Sequence, residues 1–568
     1  MATDPVWPIA AASRIRLKIS NDCYCRLFFD HTTGSIDLVP LTVEDASALT
    51  TAASPHAEIY DNSQPTFVEK DPSYQSYLAQ SKDTDKKIVD SFHPDDVIGT
   101  DLSLEYNLHN PNTFHGMKSY ATTQINIYSY PKQNRKKQRQ PNHKSYLVDS
   151  TCCEDFSDVR ALIQSIRTLS GLQNNENKKN KTATTPPQRF LVILNPYSGG
   201  NGPKSKSGAT FVYETMLKPM LEQAGVEHDK LSTTHGGHAK ERMEFRTKTT
   251  SDDDGASNNN NEENQDLNDC TDSEVRDISE YNAIIALGGD GILFEIFQGI
   301  HTRSDEEQIL STLKFGIVPC GTCNGLAKSI LYWSDDADYT PMESVFQICK
   351  GHTSRLDLAS YQLAKTNKTY TSFLSFSWGL IADCDLESEC LRWIGSIRTD
   401  IWAVYRGILF PKKYRARFSY LPSPSNNNTS SASTTKMIEM PKFNNEPLPK
   451  DWVTLEDDIR VFWVCNTSHT AHNYMTCPMS QMNDGVFYIM LVRSSVSRLR
   501  LLQLLLKLES GAHIGCEGLE VIGCSAYRLE PISDNSYNDL DGELIEAGAI
   551  QASVCNSAQF FAGKVGGR

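Results

Sequence analysis

Three glycine-rich turns, each following a short apolar run, are the segments of this sequence best suited to hold a phosphate. They are Asn195-Pro196-Tyr197-Ser198-Gly199-Gly200, Gly288-Gly289-Asp290-Gly291 and Gly321-Thr322-Cys323-Asn324-Gly325. Glycine lets backbone N–H groups approach phosphate oxygens, and a helix that begins at such a turn adds a favourable dipole. One such turn alone is well explained as a tight connection. Three in series, with an acid in the second, predict a phosphate site.

Neither of the two common nucleotide fingerprints occurs at the first turn. The segment GGNGPKSKSG from Gly199 lacks the G-x-x-x-x-G-K-[ST] pattern of a P-loop and the G-x-G-x-x-G spacing of a dinucleotide-binding turn. The sequence therefore predicts a nucleotide site of another kind. Asp290, between two glycines, could accept a proton from an attacking hydroxyl or help to hold magnesium, although a helix N-cap is also a sound role for it.

The elements around these turns predict an α/β nucleotide-binding domain, a parallel sheet with covering helices. From Arg189 the order strand, tight turn, helix repeats, and the carboxyl ends of parallel strands meet at one edge, where ligands bind. Beyond about residue 350 this alternation fades into a β-rich, β-sandwich domain. We expect a regulatory region at 1–185, the nucleotide domain at 186–348 and a β-rich second domain at 349–568, with disordered insertions at about 249–277 and 421–450.

Residues 1–185 predict a small β-rich module. Short β-like runs begin at Arg14, Gln124 and Lys144, and a helix from Phe156 follows with a continuous apolar face. Several strands followed by one terminal helix fit a pleckstrin-like module.

Composition narrows the class of protein. Lys and Arg total 55 against 70 Asp and Glu, so the net charge is -15, which disfavours nucleic acid as a partner. The 15 cysteines, in a sequence that opens without a secretory signal, predict reduced thiols in the cytoplasm. No apolar run is long enough to span a membrane. We expect a cytoplasmic protein, and we expect any contact with a membrane to be peripheral, at its surface.

Three longer segments resemble the diacylglycerol-kinase-type catalytic fold, which lipid kinases share and NAD kinases share more distantly. They are FLVILNPYSGG from Phe190, IIALGGDGILFEIFQG from Ile284 and FGIVPCGTCNGLAKSI from Phe315. The segment SFSWGLIADCDLESECLRWIGSIRTDIWAVYRG from Ser375 is similar to the substrate segment of sphingosine kinases in particular, as is DGELIEAGAIQ from Asp541. The resemblance covers most of 188–568 outside the insertions.

This resemblance implies transfer of the γ-phosphate of ATP, with Mg²⁺, to the primary hydroxyl of sphingosine or a related sphingoid base. Asp290 matches the general base, and Asp385 matches the carboxylate that recognises the ammonium and hydroxyl of the base. Arg392 and Arg398 match two arginines that neutralise phosphates. Composition alone offers another explanation for the last three residues. Asp385 would then lie in a solvated acidic loop, and Arg392 and Arg398 on an exposed helix.

The remaining matched positions fall into a nucleotide set and a substrate set; no metal ligands are assigned. The nucleotide set is Asn195, Pro196, Tyr197, Thr233, Gly289, Gly291, Glu295, Gly321, Thr322, Asp541, Gly542 and Glu543. The substrate set, which the resemblance assigns to a lipid-substrate domain at 349–568, is Trp378, Ile381, Leu501, Leu504 and His513. The segment TYTSFLSFSWGLIAD, which ends at Asp383, predicts a strand, and VSRLRLLQLLLKLESGAHIG from Val496 predicts an amphipathic helix. Core packing is the competing explanation for each apolar member.

The third turn departs from the usual Gly-Ser-Gly-Asn because Cys323 adds a side chain where the backbone approaches phosphate. Cys320 and Cys323 form a C-x-x-C; our hypothesis is that oxidation of this pair distorts the turn, and two small buried thiols are the simpler interpretation. A zinc site with His235 and His238 is disfavoured, since both pairs already fit phosphate-site segments.

Two other functions stay open at the level of sequence. A ceramide or diacylglycerol kinase would share the fold but would have no ammonium to place at Asp385. A degenerate kinase that only binds lipid would fit the altered Cys323, although Asp290, both arginines and Asp541-Gly542-Glu543 argue against it. Oligomeric state and the preferred base are not indicated.

Overall fold

The computed structural model describes much of the chain, in several stretches. These are 7–8, 17–20, 23–30, 35–40, 90–106, 120–132, 138–148, 157–172, 188–199, 208–245, 276–321, 324–334, 337–388, 390–391, 397–423, 438, 440–443, 448–533 and 536–563. The chain forms two compact units. One contains 1–187 with 219–226 and 349–351, and the other contains 188–218, 227–348 and 352–568.

The first unit is built on an antiparallel sheet of eight strands. Their bounds are Trp7–Pro8 (β1), Leu17–Ser20 (β2), Cys23–Asp30 (β3), Ser35–Pro40 (β4), Asp90–Phe92 (β5), Val97–Tyr106 (β6), Tyr120–Ser129 (β7) and Asn142–Val148 (β8). The order is β5-β4-β3-β2-β8-β7-β6, with β1 beside β3. Helix α1, Ser157–Leu169, buries Val159, Leu162 and Ile166 in the core of this unit. The predicted strands and terminal helix are confirmed, and the pleckstrin-like assignment stays a prediction.

The second unit begins with four parallel strands. They are Arg189–Leu194 (β9), Glu227–Ser232 (β10), Ala283–Gly288 (β11) and Lys314–Pro319 (β12), in the order β10-β9-β11-β12. Every residue of β11 is buried, as is every residue of β9 and β12 after the first. Continuous apolar runs are typical of parallel strands that are covered on both faces.

Helices follow these strands as the sequence predicts. They are Ala209–Val212 (α2), Lys218–Ala224 (α3), His238–Glu244 (α4), Asp290–His301 (α5), Glu306–Thr312 (α6), Gly325–Trp333 (α7) and Pro341–Lys350 (α8). A π-helical turn, Tyr213–Leu217, joins α2 to α3 just before Pro219, whose ring cannot donate a backbone hydrogen bond. Helices α4 and α5 approach closely, because a Cβ on Gly299 would lie 2.4 Å from the Lys240 carbonyl oxygen.

The β-rich part continues the same sheet. Its strands are Thr353–Leu363 (β13), Thr369–Ser372 (β14), Ser375–Gly379 (β15), Tyr414–Pro422 (β16), Val453–Cys465 (β17), Phe487–Arg493 (β18), Glu520–Pro531 (β19), Asn538–Leu540 (β20), Glu543–Ile545 (β21) and Ile550–Phe561 (β22). Strand β22 pairs in parallel with β12 and antiparallel with β13 and β19, so it joins the two parts. Strands β16, β17, β18 and β19 pair in a closed circuit, and buried aromatic side chains pack among them.

Three helices interrupt this part, and two of them differ from the sequence expectation. Leu380–Glu387 (α9) is helical where an extended run through Asp383 is expected, and Arg498–Leu505 (α11) is shorter than the leucine-rich segment suggests. Ile397–Val404 (α10) continues into a π-helical turn, Tyr405–Leu409. Gly379 explains the first difference, because its φ of 81° turns the chain sharply out of β15.

The two predicted insertions fall largely outside the described residues. No helix among the described residues is long and apolar enough to cross a membrane.

Candidate active site

The ends of the four parallel strands bring the predicted phosphate turns to one edge of the sheet. Ser232 pairs with Leu194, Leu194 with Leu287, and Gly288 with Pro319. The next residues stay connected across the edge. The N–H of Asn195 donates to the Leu287 carbonyl at 3.1 Å, and the N–H of Thr233 donates to the Leu194 carbonyl at 2.9 Å.

The second and third turns are in direct contact. The N–H of Gly321 donates to the Gly288 carbonyl at 3.2 Å, and a Cβ on Gly321 would lie 2.7 Å from the Cα of Gly289. Any side chain at position 321 would therefore collide with backbone. Asn195, Pro196 and the exposed Tyr197 occupy the first turn beside them, while Thr322 and Cys323 lie outside the described residues.

Asp290 is the first residue of α5, and its side chain is held by the start of another helix. Its Oδ2 accepts the Gly325 N–H at 2.6 Å and its Oδ1 accepts the Leu326 N–H at 3.3 Å. Asp290 is only 4% exposed, and burial raises its pKa to about 7 despite these two hydrogen bonds. The charge of Asp541 raises the pKa further. A carboxyl that is half-ionised near neutral pH has the acidity suited to a general base.

Glu295 lies one turn further along α5 and faces the segment that contains Thr233. Its two carboxylate oxygens accept the N–H groups of Gly237 at 2.9 Å and Ala239 at 3.2 Å. Gly237 has a φ of 91° and precedes α4, so Glu295 caps that helix and fixes the turn. The structure thus shows how Glu295 supports the Thr233 segment; its predicted contact with nucleotide stays a prediction.

Asp541 forms the turn between β20 and β21 and is almost completely buried. Its Oδ1 accepts the Ser372 hydroxyl at 2.7 Å and the N–H groups of Leu374 and Ser375 at 3.0 and 2.9 Å. Its Oδ2 accepts the N–H of Phe373 at 3.2 Å. Burial raises the pKa of Asp541 to about 6, although the four hydrogen bonds lower it. The carboxylate fastens the hairpin to the loop between β14 and β15.

This hairpin places Glu543 at the Gly-Gly-Asp-Gly turn. Oε1 of Glu543 lies 2.7 Å from the position that a Cβ on Gly291 would take, so a larger residue there would displace the carboxylate. Glu543 is exposed, unlike Asp290 and Asp541. The late Asp541-Gly542-Glu543 segment and the turn around Asp290 are therefore neighbours, and their joint contact with nucleotide stays a prediction.

Helix α9 presents one of its acids, Asp385, to the same hairpin. Asp385 Oδ2 lies 3.8 Å from the Cβ position of Gly542, and Asp385 Oδ1 lies 3.7 Å from Nη2 of Arg398 on α10. The predicted head-group carboxylate and one predicted phosphate arginine are thus neighbours. Arg392 lies outside the described residues.

A second carboxylate of α9, Glu387, ties this helix to α10 and to the chain that follows it. Glu387 accepts the Trp402 Nε1–H at 3.0 Å and the Arg406 Nε–H at 2.6 Å, and Lys412 Nζ lies 3.0 Å away. Burial alone would raise the pKa of Glu387, but these three donors outweigh it and lower the pKa. Sequence reasoning did not single out Glu387. Its position between Asp385 and the two matched arginines could have indicated that it lies near the site.

Asp383, one turn before Glu387, is fully buried and was also missed. Lys412 Nζ lies 2.9 Å from its Oδ2, which also accepts the Tyr414 hydroxyl. Burial raises the pKa of Asp383, while Tyr414 and Lys412 lower it. Lys412 therefore bridges two carboxylates of α9 and fixes the helix against β16.

The predicted tail-binding residues divide between two apolar clusters. Leu501, Leu504 and Ile381 pack together in a cluster formed by α9, α11, β17 and β18. His513, in the loop after α11, is buried and contacts the Thr476 carbonyl through Nε2 at 2.9 Å, and burial lowers its pKa. Trp378 instead packs in the aromatic cluster of the β-rich part. Its side chain is completely buried, so in this conformation it is core rather than a pocket wall.

The C-x-x-C hypothesis receives one test from the structure. Cys320 is buried, and burial raises the pKa of its thiol to about 12, which disfavours the reactive thiolate. Cys323 lies outside the described residues. Among the described residues, no three His, Cys, Asp or Glu side chains are grouped to hold a metal ion.

Known proteins resemble this chain over the region that contains the phosphate turns. The family of the diacylglycerol kinase catalytic domain matches residues 189–361. Sphingosine kinase 2 of Arabidopsis thaliana is 28% identical over 376 residues, which are 64% of this chain and 69% of the relative. Sphingosine kinase 1 of Mus musculus is 27% identical over 383 residues, 65% of this chain and 89% of the relative. A putative diacylglycerol kinase structure from Bacillus anthracis str. Sterne has 16% identity and a TM-score of 0.44, covering 66% of this chain and 98% of that chain.

Glycine turns at the carboxyl ends of a parallel sheet, with the acid of Gly-Gly-Asp-Gly buried among them, define a lipid kinase catalytic domain of the diacylglycerol kinase type. Within that class, the chain is similar to sphingosine kinases and to a sphingoid long-chain base kinase.

Proposed function

We propose that this protein transfers the γ-phosphate of ATP to the primary hydroxyl of a sphingoid base. The observation that carries the proposal is the convergence of three parts of the chain on one site. The phosphate turns with Asp290, the Asp541-Gly542-Glu543 hairpin and the acidic helix α9 with Asp385 all meet there. A nucleotide phosphate and a cationic head group need this combination of donors and acids.

Asp290 supplies the base for the reaction. Its carboxylate accepts the proton of the primary hydroxyl as the hydroxyl oxygen attacks the γ-phosphorus, and the bond from phosphorus to the ADP oxygen breaks. Asp385 binds the ammonium and so sets which hydroxyl reaches Asp290. Arg398, beside Asp385, offsets charge on the transferring phosphoryl group.

Magnesium fits the oxygen donors of the site. The described residues contain no group of three acidic, His or Cys side chains that could hold a metal alone. Mg²⁺ does not require one, because it usually keeps several waters and binds one or two carboxylates together with substrate phosphates. Glu543, exposed beside Gly291, is the carboxylate that we expect to hold it. Bound Mg²⁺ would neutralise phosphate charge.

We also propose peripheral contact with a membrane from the cytoplasmic side. Helix α10 and the π-helical turn after it expose apolar side chains in succession, including Leu409 at 61% and Phe410 at 57%. The inner side of the same segment packs on the cluster of Leu501, since a Cβ on Gly407 would lie 3.5 Å from Leu501 Cδ2. An exposed apolar patch of this kind marks an interaction surface. A lipid substrate would then enter beside the cluster predicted to hold its tail.

The first test is transfer of radiolabelled phosphate from ATP to sphingosine, phytosphingosine, ceramide and diacylglycerol, with wild type and Asp290→Asn. The proposal is supported if wild type transfers label to a sphingoid base and Asp290→Asn does not. Label on ceramide or diacylglycerol would overturn the substrate and keep the kinase. Absence of label from folded protein with Mg²⁺ would favour a degenerate kinase.

For the membrane proposal, Leu409→Glu with Phe410→Glu should weaken binding to vesicles of neutral and anionic phospholipid by about tenfold. Transfer to a water-soluble short-chain base should stay within twofold of wild type. Unchanged vesicle binding would refute the membrane contact.

A further inference from the structure

Asp539, on β20, is a buried acid beside the site that the reaction described above does not use. It is 5% exposed and pairs across the strands with Ser377 of β15. The Ser377 hydroxyl donates to Asp539 Oδ2 at 2.6 Å. The other oxygen, Oδ1, is shielded from solvent and has no hydrogen-bond partner among the described residues. A buried polar atom without a partner requires an explanation, and a ligand is one.

Asp539 lies near Asp385, on the side of the site where we propose that the head group of the base binds. The charges that act on it come from Asp385 on α9 and from Asp541 and Glu543 on the hairpin. Asp385 itself lies against this hairpin, 3.8 Å from the Cβ position of Gly542. Three elements, β15, β20 and α9, therefore direct polar side chains to one place.

We propose that Asp539 is a second carboxyl of the head-group site, which together with Asp385 selects a cationic amine over a neutral lipid. The inference rests on the proposed function, because it names the residue that sharpens substrate choice at the same site. It assigns Asp539 a specificity role, while Asp385 stays the primary contact.

The electrostatics support this role. Burial raises the pKa of Asp539 well above the usual value, and the charge of Asp385 raises it further. Two close carboxyls disfavour each other's ionisation, and a cation placed beside both removes that penalty. An ammonium is attracted electrostatically by both carboxyls, whereas an amide nitrogen, which carries no charge, is attracted little by either.

The test compares wild type, Asp539→Asn and a matched control in steady-state kinetics with a water-soluble short-chain sphingoid base. Asn keeps the shape of Asp and an oxygen for Ser377, so the fold should be retained. We expect the KM for the base to rise roughly tenfold, while the KM for ATP stays within twofold. The KM for the base should also depend less on pH than in wild type.

Asp357 provides the control. It too is a buried carboxyl, with Oδ2 accepting the Gly485 N–H at 2.6 Å and Oδ1 without a partner among the described residues. None of its contacts with described residues belongs to the site. Asp357→Asn should leave both KM values unchanged.

The N-acetylated form of the same base, used as a competitive inhibitor, separates selection from general damage. Its inhibition constant should be equal in wild type and Asp539→Asn, because it has no ammonium. An unchanged KM for the base, or an equal loss of affinity for both lipids, would overturn the inference. If Asp539→Asn does not fold, Ser377→Ala should give a smaller rise in the same KM, and its absence would count against the inference.

The two proposals fail in different ways. Wild-type protein that labels no sphingoid base would remove the proposed function and this inference together. Wild-type protein that labels the base with the same KM as Asp539→Asn would remove only the inference.

Discussion

The proposed nucleotide side and the proposed head-group side of this site hold their carboxylates by different means. Asp290, Glu295 and Asp541 receive hydrogen bonds chiefly from backbone N–H groups. On helix α9, Asp383 and Glu387 receive theirs from the side chains of lysine, arginine, tyrosine and tryptophan. Backbone donors are fixed by the fold, whereas side-chain donors can change rotamer. The phosphate side is therefore built for constant geometry and the lipid side for adjustment.

We expect the largest effect on activity from replacing Asp290, the proposed base, whose carboxylate is held by backbone N–H groups. Asp290→Asn should lower kcat by about 10³-fold, since a positioned general base contributes 10²–10⁴-fold. The amide oxygen can still accept one of the two N–H groups at α7, so the protein should stay folded. Transfer of labelled phosphate and the melting temperature measure the two properties. A variant with more than a tenth of wild-type activity would show that Asp290 is not the base.

Next in size is the loss of the Asp541 carboxylate. Asp541→Ala leaves three backbone N–H groups and the Ser372 hydroxyl without their acceptor, which should cost about 3 kcal/mol of unfolding free energy. Asp541→Asn should cost less, because asparagine accepts the left-handed φ of 55° and keeps one oxygen. Urea unfolding gives both values. Equal losses in the two variants would mean that the backbone donors do not depend on this acceptor.

The dependence of the protein on pH gives a third contrast. The pKa of Asp290 is raised to about 7 and that of Asp541 to about 6, so the folded protein binds more protons than the unfolded chain above pH 4. Stability from these groups is therefore present at low pH and falls as pH rises toward 7. Activity should change in the opposite direction, because Asp290 must be ionised to act.

Melting temperatures and kcat/KM between pH 5 and pH 8 report the two trends. Asp290→Asn should flatten the stability trend. If stability instead rose through this range by the same amount in both proteins, other groups would dominate.

We expect the smallest effect from a change on helix α9, whose carboxylates are held by side chains. Glu387→Gln keeps the shape but removes the charge that Arg406 and Lys412 share. We expect a KM for the sphingoid base about threefold higher with kcat and the KM for ATP unchanged, because Lys412 keeps Asp383 as a partner. A fall in kcat as large as that of Asp290→Asn would contradict the contrast between the two sides.

Sequence reasoning succeeded where the signal is local. The apolar run before Asn195, the glycines around Asp290 and the helix from Gly325 are each readable within a few residues, and the structure confirms them. The convergence of Asp541 on this edge came from the resemblance to a family. Nothing in its local pattern indicates that strand β20 returns to β15.

The missed features depend on contacts between distant residues. That Asp290 caps α7 follows from the adjacency of β11 and β12, and that Glu295 caps α4 follows from the close approach of α4 and α5. Asp539 did leave a signal, since it is an acid only two residues before Asp541 in the segment that the resemblance singled out. The length of α11 was overestimated because leucine favours both a helix and a core.

Strand β22 makes the order of synthesis matter for this kinase. The three phosphate turns are complete in sequence at Gly325, but the strand that pairs with Lys314 and Phe315 begins only at Ile550. A growing chain must therefore carry all three turns while one side of their sheet has an open edge, and such edges recruit other chains. Truncations that remove β22 should yield aggregates rather than a smaller active enzyme, and a chaperone would be needed most after the catalytic motifs have already emerged.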